Sequence, residues 1–149
     1  MFISIVNKGR GYVYSLQYHI VWCVKYRKRI IEGNVEVKLK ELIAKIAFDN
    51  GFSIISLECT EDHVHILIDC TPQHYIPDVV KALKGNSARF LFKDFPQLKK
   101  KLWGGHLWNP SYFVSTVSEN TLEQVKKYID GQKEGEPDGE GVSISDLSE

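Results

Sequence analysis

The feature that most constrains the fold is the run Tyr12, Tyr14, Leu16, Tyr18, Ile20, Trp22 and Val24, interleaved with Val13, Ser15, Gln17, His19, Val21 and Cys23. Successive side chains on a strand leave opposite faces, so a period of two marks one long β-strand with a face on a core. The period then changes. From Asn34, a helix-capping residue type, Leu39, Leu42, Ile43, Ile46 and Ala47 recur at helical spacing until Gly51, which suits the left-handed end of a helix. Residues 52–59 and 63–69 form two β-branched runs around Thr60, Glu61 and Asp62, the pattern of a hairpin. Pro77 fits the first turn of a second helix that carries Val79, Val80, Leu83, Ala88, Phe90 and Leu91 and stops before Pro96. A last strand at 112–117 precedes a helix capped by Ser118, Asn120 and Thr121, with Leu122, Val125 and Ile129 on its apolar side. The order β-α-β-β-α-β-α predicts an α+β fold: a ferredoxin-like or RRM-like four-stranded antiparallel sheet with two helices on one face and an additional C-terminal helix. The other face of the sheet is expected to be open or covered by a partner.

Charge divides the chain. The 19 basic and 19 acidic residues cancel overall, yet six of the acids (Glu134, Glu136, Asp138, Glu140, Asp146, Glu149) lie from position 134 onward, where there is no Lys or Arg. The preceding 133 residues therefore hold 19 basic against 13 acidic side chains, a net of +6, which suits a polyanionic partner. The expected division is one domain over 1–134 and an acidic tail over 135–149, too poor in large apolar residues to order itself. Three cysteines, Cys23, Cys59 and Cys70, sit among apolar residues without a CxxC pair, as expected of buried thiols in a reducing, cytoplasmic compartment. No apolar run approaches the ~20 residues of a membrane span.

Two groups of residues stand out chemically. On the 63–69 strand, His63 and His65 point to one side with Leu67 and Asp69, while Val64, Ile66 and Ile68 point to the other. Two imidazoles aimed at one spot suit a divalent metal, with Glu61 and Asp62 placed to support them. On the last helix Thr121, Gln124, Tyr128 and Gln132 share a face, and Lys126 and Lys127 beside Tyr128 favour a nearby anion. That spacing puts Tyr128 on the polar side.

His63-Val64-His65 together with Tyr128-Ile129-Asp130-Gly131-Gln132 resembles the single-tyrosine HUH transposases of bacterial insertion sequences that move as single-stranded DNA. The resemblance extends to His19-Ile20-Val21-Trp22, to Lys25-Tyr26-Arg27 and to Leu107-Trp108-Asn109-Pro110-Ser111-Tyr112, and spans positions 12 to 133. It implies that His63 and His65 ligate a divalent metal, that Gln132 adds a third ligand, and that Tyr128 is the nucleophile forming a covalent 5′-phosphotyrosine. It also implies a homodimer that binds DNA hairpins near the element ends. Mg²⁺ or Mn²⁺ is the expected cofactor, because two neutral imidazoles and an amide oxygen leave open positions for substrate oxygens.

Phosphate contacts are expected from Lys25, Arg27, Lys28 and Arg29 after the first strand, from Lys84 and Arg89 on the second helix, and from Lys99, Lys100 and Lys101, with Trp108 as a stacking partner. His19, His74 and His106 are read as structural. The alternatives are a domesticated HUH nuclease that processes repetitive palindromes and a non-catalytic single-stranded nucleic-acid-binding module. An RNA-binding sheet would be expected to display aromatic residues where this chain has His63 and His65, which counts against the second.

Overall fold

A computed structural model describes residues 6–117 and 121–132. The acidic segment from position 135 and the capping residues Ser118 and Asn120 lie outside the described residues.

The alternating run is two strands rather than one. β1 (Asn7–Gly9) and β2 (Tyr12–Tyr14) form a separate hairpin, with Gly11 at φ +80 in its turn. β3 (Gln17–Cys23) enters the main sheet. The break at residues 15 and 16 marks where the chain changes pairing partners. α1 (Gly33–Asn50) starts one residue before Asn34, with Glu32 at its cap, and ends at Gly51 in the left-handed region at φ 76. β4 (Ser53–Cys59) and β5 (His63–Asp69) pair antiparallel as the hairpin pattern predicts. α2 (Ile76–Asp94) carries its proline in the first turn, and a short turn, α3 (Leu98–Lys101), leads towards β6 (Phe113–Thr116) and α4 (Thr121–Gly131).

The four-stranded sheet has the order β4-β5-β3-β6, with every neighbouring pair antiparallel. That is the α+β arrangement predicted. Ile20 and Trp22 of β3, Val24 just after it, and Val64, Ile66 and Ile68 of β5 pack with Leu39, Ile43 and Leu83 from the two long helices. This is the larger core.

Part of the opposite face is covered from within the chain. Val21 and Cys23 of β3 and Phe113 of β6 are buried beneath Val125 and Tyr128 of α4 from the same chain. β3 is consequently apolar on both faces over residues 20–23, as a strand between two layers must be. No helix among the described residues is long and apolar enough to cross a membrane.

Candidate active site

The candidate site is built on the sheet face that α4 covers. Antiparallel register puts Cys23 opposite His63, Val21 opposite His65 and His19 opposite Leu67. Val21 and Cys23, which pack beneath Tyr128, are thus the cross-strand neighbours of the two histidines.

His63 is oriented from behind. Its Nδ1 lies 2.8 Å from Asp62 Oδ1 and 2.7 Å from Thr60 Oγ1, an arrangement in which the Nδ1–H donates and Nε2 keeps a free lone pair. Burial opposes ionisation of Asp62, but the hydrogen bond from His63 and the Arg27 guanidinium outweigh it and hold the carboxyl below its usual range. The support expected from Asp62 is therefore present, whereas Glu61 is exposed.

His65 has a partner in His19, a residue whose sequence surroundings suggest only a structural part. His19 Nδ1 sits 2.8 Å from His65 Nε2, with the two rings 5.0 Å apart. Burial lowers the pKa of both, that of His19 to about 4 with help from the charge His65 would carry. Both rings are neutral near pH 7, the form that ligates a metal. The one sequence signal for His19 is that it alternates onto the face opposite the core, the face His65 also occupies. His74, by contrast, is structural as expected: its Nδ1 accepts from the Thr71 N–H and its Nε2 donates to the Asn50 carbonyl at the end of α1.

Tyr128 is not on the polar side of its helix. Val125, Tyr128 and Gln132 form the packed face, while Leu122 is exposed. The Tyr128 ring stacks at a tilt on Phe113, 5.9 Å away, and its hydroxyl lies 2.7 Å from Ser111 Oγ. A tyrosine can take an apolar position when its hydroxyl finds a buried partner, and Ser111 supplies one. Burial raises the phenol's pKa well above the ordinary tyrosine range, more than the Ser111 bond lowers it. Lys126 and Lys127 are exposed and do not counter this.

Gln132 is also buried, its Oε1 accepting from Ser111 Oγ at 3.4 Å while its Nε2 has no partner. A half-turn of the amide exchanges the two ends, and an oxygen there would suit a cation. Among the described residues no three His, Cys, Asp or Glu side chains cluster as a metal site. A cation here would rest on imidazole and amide donors, which the free Nε2 of His63 and the unsatisfied amide of Gln132 fit.

Arg27 ties the two groups together. Its Nε donates to Asp62 Oδ2 at 3.1 Å, its Nη2 lies 3.0 Å from the same oxygen as an ion pair, and its Nη1 donates to the Ile129 carbonyl at 3.2 Å.

The expected DNA contacts divide. Arg29, Arg89, Lys99, Lys100 and Lys101 are exposed, and Lys28 is half-buried. Others are corrected by the fold. Trp108 is in the core, edge-on to Trp22 and donating from Nε1 to Ser87 Oγ at 3.0 Å, so its ring has no face for a base. Lys84 donates to the carbonyls of Asn109 and Ser111 at 2.7 and 3.1 Å, and burial pulls its pKa down to about 8. Lys25 is buried, and Arg27 is occupied as described.

The pattern of a family model described as "Transposase IS200 like" matches residues 12–132. The chain belongs to the IS200-like transposase family. It is 56% identical over 131 residues to the ISDra2 transposase TnpA of Deinococcus radiodurans, covering 88% of this chain and 94% of that one. It is 31% identical over 131 residues to the transposase for insertion sequence element IS200 of Salmonella typhimurium, at 88% and 86% coverage. A crystal structure of a candidate transposase from Deinococcus radiodurans superposes with a TM-score of 0.81 at 53% identity, over 85% of this chain and 98% of that one. The fold is shared more distantly with a REP-associated tyrosine transposase bound to a REP hairpin: TM-score 0.53, 15% identity, 87% and 74% coverage.

Proposed function

We propose that this transposase cleaves and rejoins single-stranded DNA at insertion-sequence ends, with Tyr128 as the nucleophile. The observation that carries the reading is that the Tyr128 helix packs on the sheet face bearing His63 and His65. In the cleavage step the Tyr128 oxygen forms a bond to phosphorus, and the phenolic proton is released. The bond from phosphorus to the 3′ oxygen breaks, that oxygen leaves with the electron pair, and it takes up a proton. The product is a 5′-phosphotyrosine and a free 3′-hydroxyl. Because the phosphodiester is exchanged rather than hydrolysed, attack by another 3′-hydroxyl reverses the step and joins new ends.

His63, His65 and Gln132 would hold the divalent cation, Mg²⁺ or Mn²⁺, whose charge offsets that of the scissile phosphate when bound. Asp62 and Thr60 hold His63 in its ligating tautomer, whereas the His65 Nε2 is in contact with His19 and would ligate once that contact opens. With its hydroxyl on Ser111 and its proton retained by burial, the docked Tyr128 is a resting nucleophile. DNA entry has to bring the phosphate to that hydroxyl or lift the helix. Recognition of DNA hairpins is supported by the hairpin held by the distant structural relative. A single candidate tyrosine per chain favours a homodimer for strand exchange, a state that a mass measurement at micromolar concentration tests.

The test is incubation with single-stranded hairpin DNA and Mg²⁺ or Mn²⁺, followed by a denaturing gel. A covalent adduct is expected from the wild type and from neither Tyr128→Phe nor the double variant His63→Ala, His65→Ala. An adduct with Tyr128→Phe overturns the nucleophile, and cleavage by the double histidine variant overturns the metal site.

A further inference from the structure

We infer that Arg27 is the positioning residue that holds the Tyr128 helix in register with the His63 strand. The inference rests on Tyr128 and His63 acting as proposed above, and three observations about Arg27 converge on it.

The first is its hydrogen bonding. The guanidinium donates from Nε to Asp62 Oδ2 and keeps Nη2 in ion-pair contact with the same oxygen, while Nη1 donates to the Ile129 carbonyl, 102 positions along the chain and adjacent to Tyr128. The other oxygen of Asp62 meets His63 Nδ1. An unbroken path therefore runs from His63 through Asp62 and Arg27 to the backbone beside Tyr128.

The second is placement. The Ile129 carbonyl lies in the last turn of α4 and already accepts the Gln132 N–H at 3.0 Å. Carbonyls at a helix C-terminus carry the negative end of the helix dipole, where a cation stabilises the turn. That turn carries Tyr128 and leads into Gln132, so a donor there sets both.

The third is backbone strain. Tyr26 and Arg27 have φ of 59 and 52, the left-handed region that residues with a Cβ avoid. Such conformations are strained and persist where the surroundings enforce them. Here the kink directs the Arg27 side chain back over the site instead of out along the Lys28–Arg29 surface.

A guanidinium is suited to this because its planar fork serves two acceptors in different directions, which an ammonium does not reproduce. The arrangement also distinguishes Arg27 from a phosphate contact: all three guanidinium nitrogens already face partners within the protein.

The experiment compares full-length wild type, Arg27→Ala and Arg27→Lys on hairpin DNA with Mn²⁺. It measures DNA affinity, the single-turnover rate of adduct formation at saturating DNA, and amide exchange of α4 without DNA. For Arg27→Ala the expected result is an adduct rate lower by about 10–100-fold at unchanged DNA affinity, the range for groups that orient a site's ligands, with faster exchange of α4. Arg27→Lys keeps the charge and should recover little of the rate. Weaker DNA binding with an unchanged rate at saturation would make Arg27 a phosphate contact and overturn the inference. Unchanged protection of α4 would overturn it as well. If Arg27→Ala does not fold, Asp62→Asn removes the ionic partner from the other side and should speed exchange in α4 alike. A wild type that forms no adduct counts against the proposed function, while the exchange data still decide whether Arg27 clamps the helix.

Discussion

Tyr128 has two roles that its variants separate. Its ring fills the smaller core with Phe113, Val125, Val21 and Cys23, and its hydroxyl meets Ser111. Tyr128→Phe removes only the hydroxyl, and Ser111 Oγ keeps the Asn109 side-chain oxygen at 3.1 Å as a partner. No buried group is orphaned, so stability should change by less than about 1 kcal/mol while the DNA adduct vanishes. Tyr128→Ala empties the ring's site and should cost about 3–5 kcal/mol. Ser111→Ala leaves the tyrosine hydroxyl buried without a partner and should cost about 1–3 kcal/mol. Urea unfolding of the three variants checks the order. If Tyr128→Phe is as unstable as Tyr128→Ala, its loss of adduct no longer reports on chemistry. The same residue shows what a sequence conceals at this scale. The alternation of 63–69 is enough to place His63 and His65 on one face, because strand geometry is local. The burial of Tyr128 depends on Ser111, and the role of His19 depends on His65, each brought close only by the fold.

Among the elements, β3 and α4 depart furthest from the periodic reading, for one reason. Residues 12–24 alternate throughout, yet β2 pairs with β1 while β3 pairs with β5 and β6. Alternation records which way side chains point and carries no information about which strand lies alongside. In α4 the apolar spacing of Leu122, Val125 and Ile129 points to a packed side without Tyr128, but the sheet face beneath, with Ser111 at its margin, takes in Tyr128 and leaves Leu122 exposed. The basic elements are legible as charge but not as surface: Lys84 turns inward to two carbonyls, whereas Lys99, Lys100 and Lys101 on α3 remain exposed. These two groups should behave differently. Neutralising the α3 lysines together should weaken single-stranded DNA binding and flatten its salt dependence by about 0.7 in log–log slope for each phosphate no longer neutralised. Lys84→Ala should lower the midpoint of thermal unfolding with little change in that slope. Equal salt slopes for the triple variant and the wild type would remove α3 from the DNA surface.

Across the whole molecule, the sheet separates a large core under α1 and α2 from a small one under α4, and buried thiols lie in or beside both. Cys70 belongs to the larger core and Cys23 to the smaller, with Cys59 half-buried at the margin of the first. Burial raises all three from the usual value near 9, Cys23 to about 12 and Cys59 and Cys70 to about 11, and it raises Tyr128 as well. The folded chain therefore retains protons that the unfolded chain releases above pH 9. Stability linked to these groups is complete below that pH and is lost as pH rises through the folded values near 11. Lys84 opposes them: its pKa falls from 10.5 to about 8, so the unfolded chain holds more protons between those values and folding gains there as pH rises. Three thiols and a phenol outweigh one ammonium. Unfolding under reducing conditions should show stability falling by on the order of a few kcal/mol between pH 9 and pH 11. Cys23→Ala changes the baseline stability by leaving a small gap, but the slope against pH is the informative quantity, and it should become shallower. A wild-type profile that is flat across this interval would mean that the thiols ionise freely in the folded protein and that the layer beneath α4 admits water.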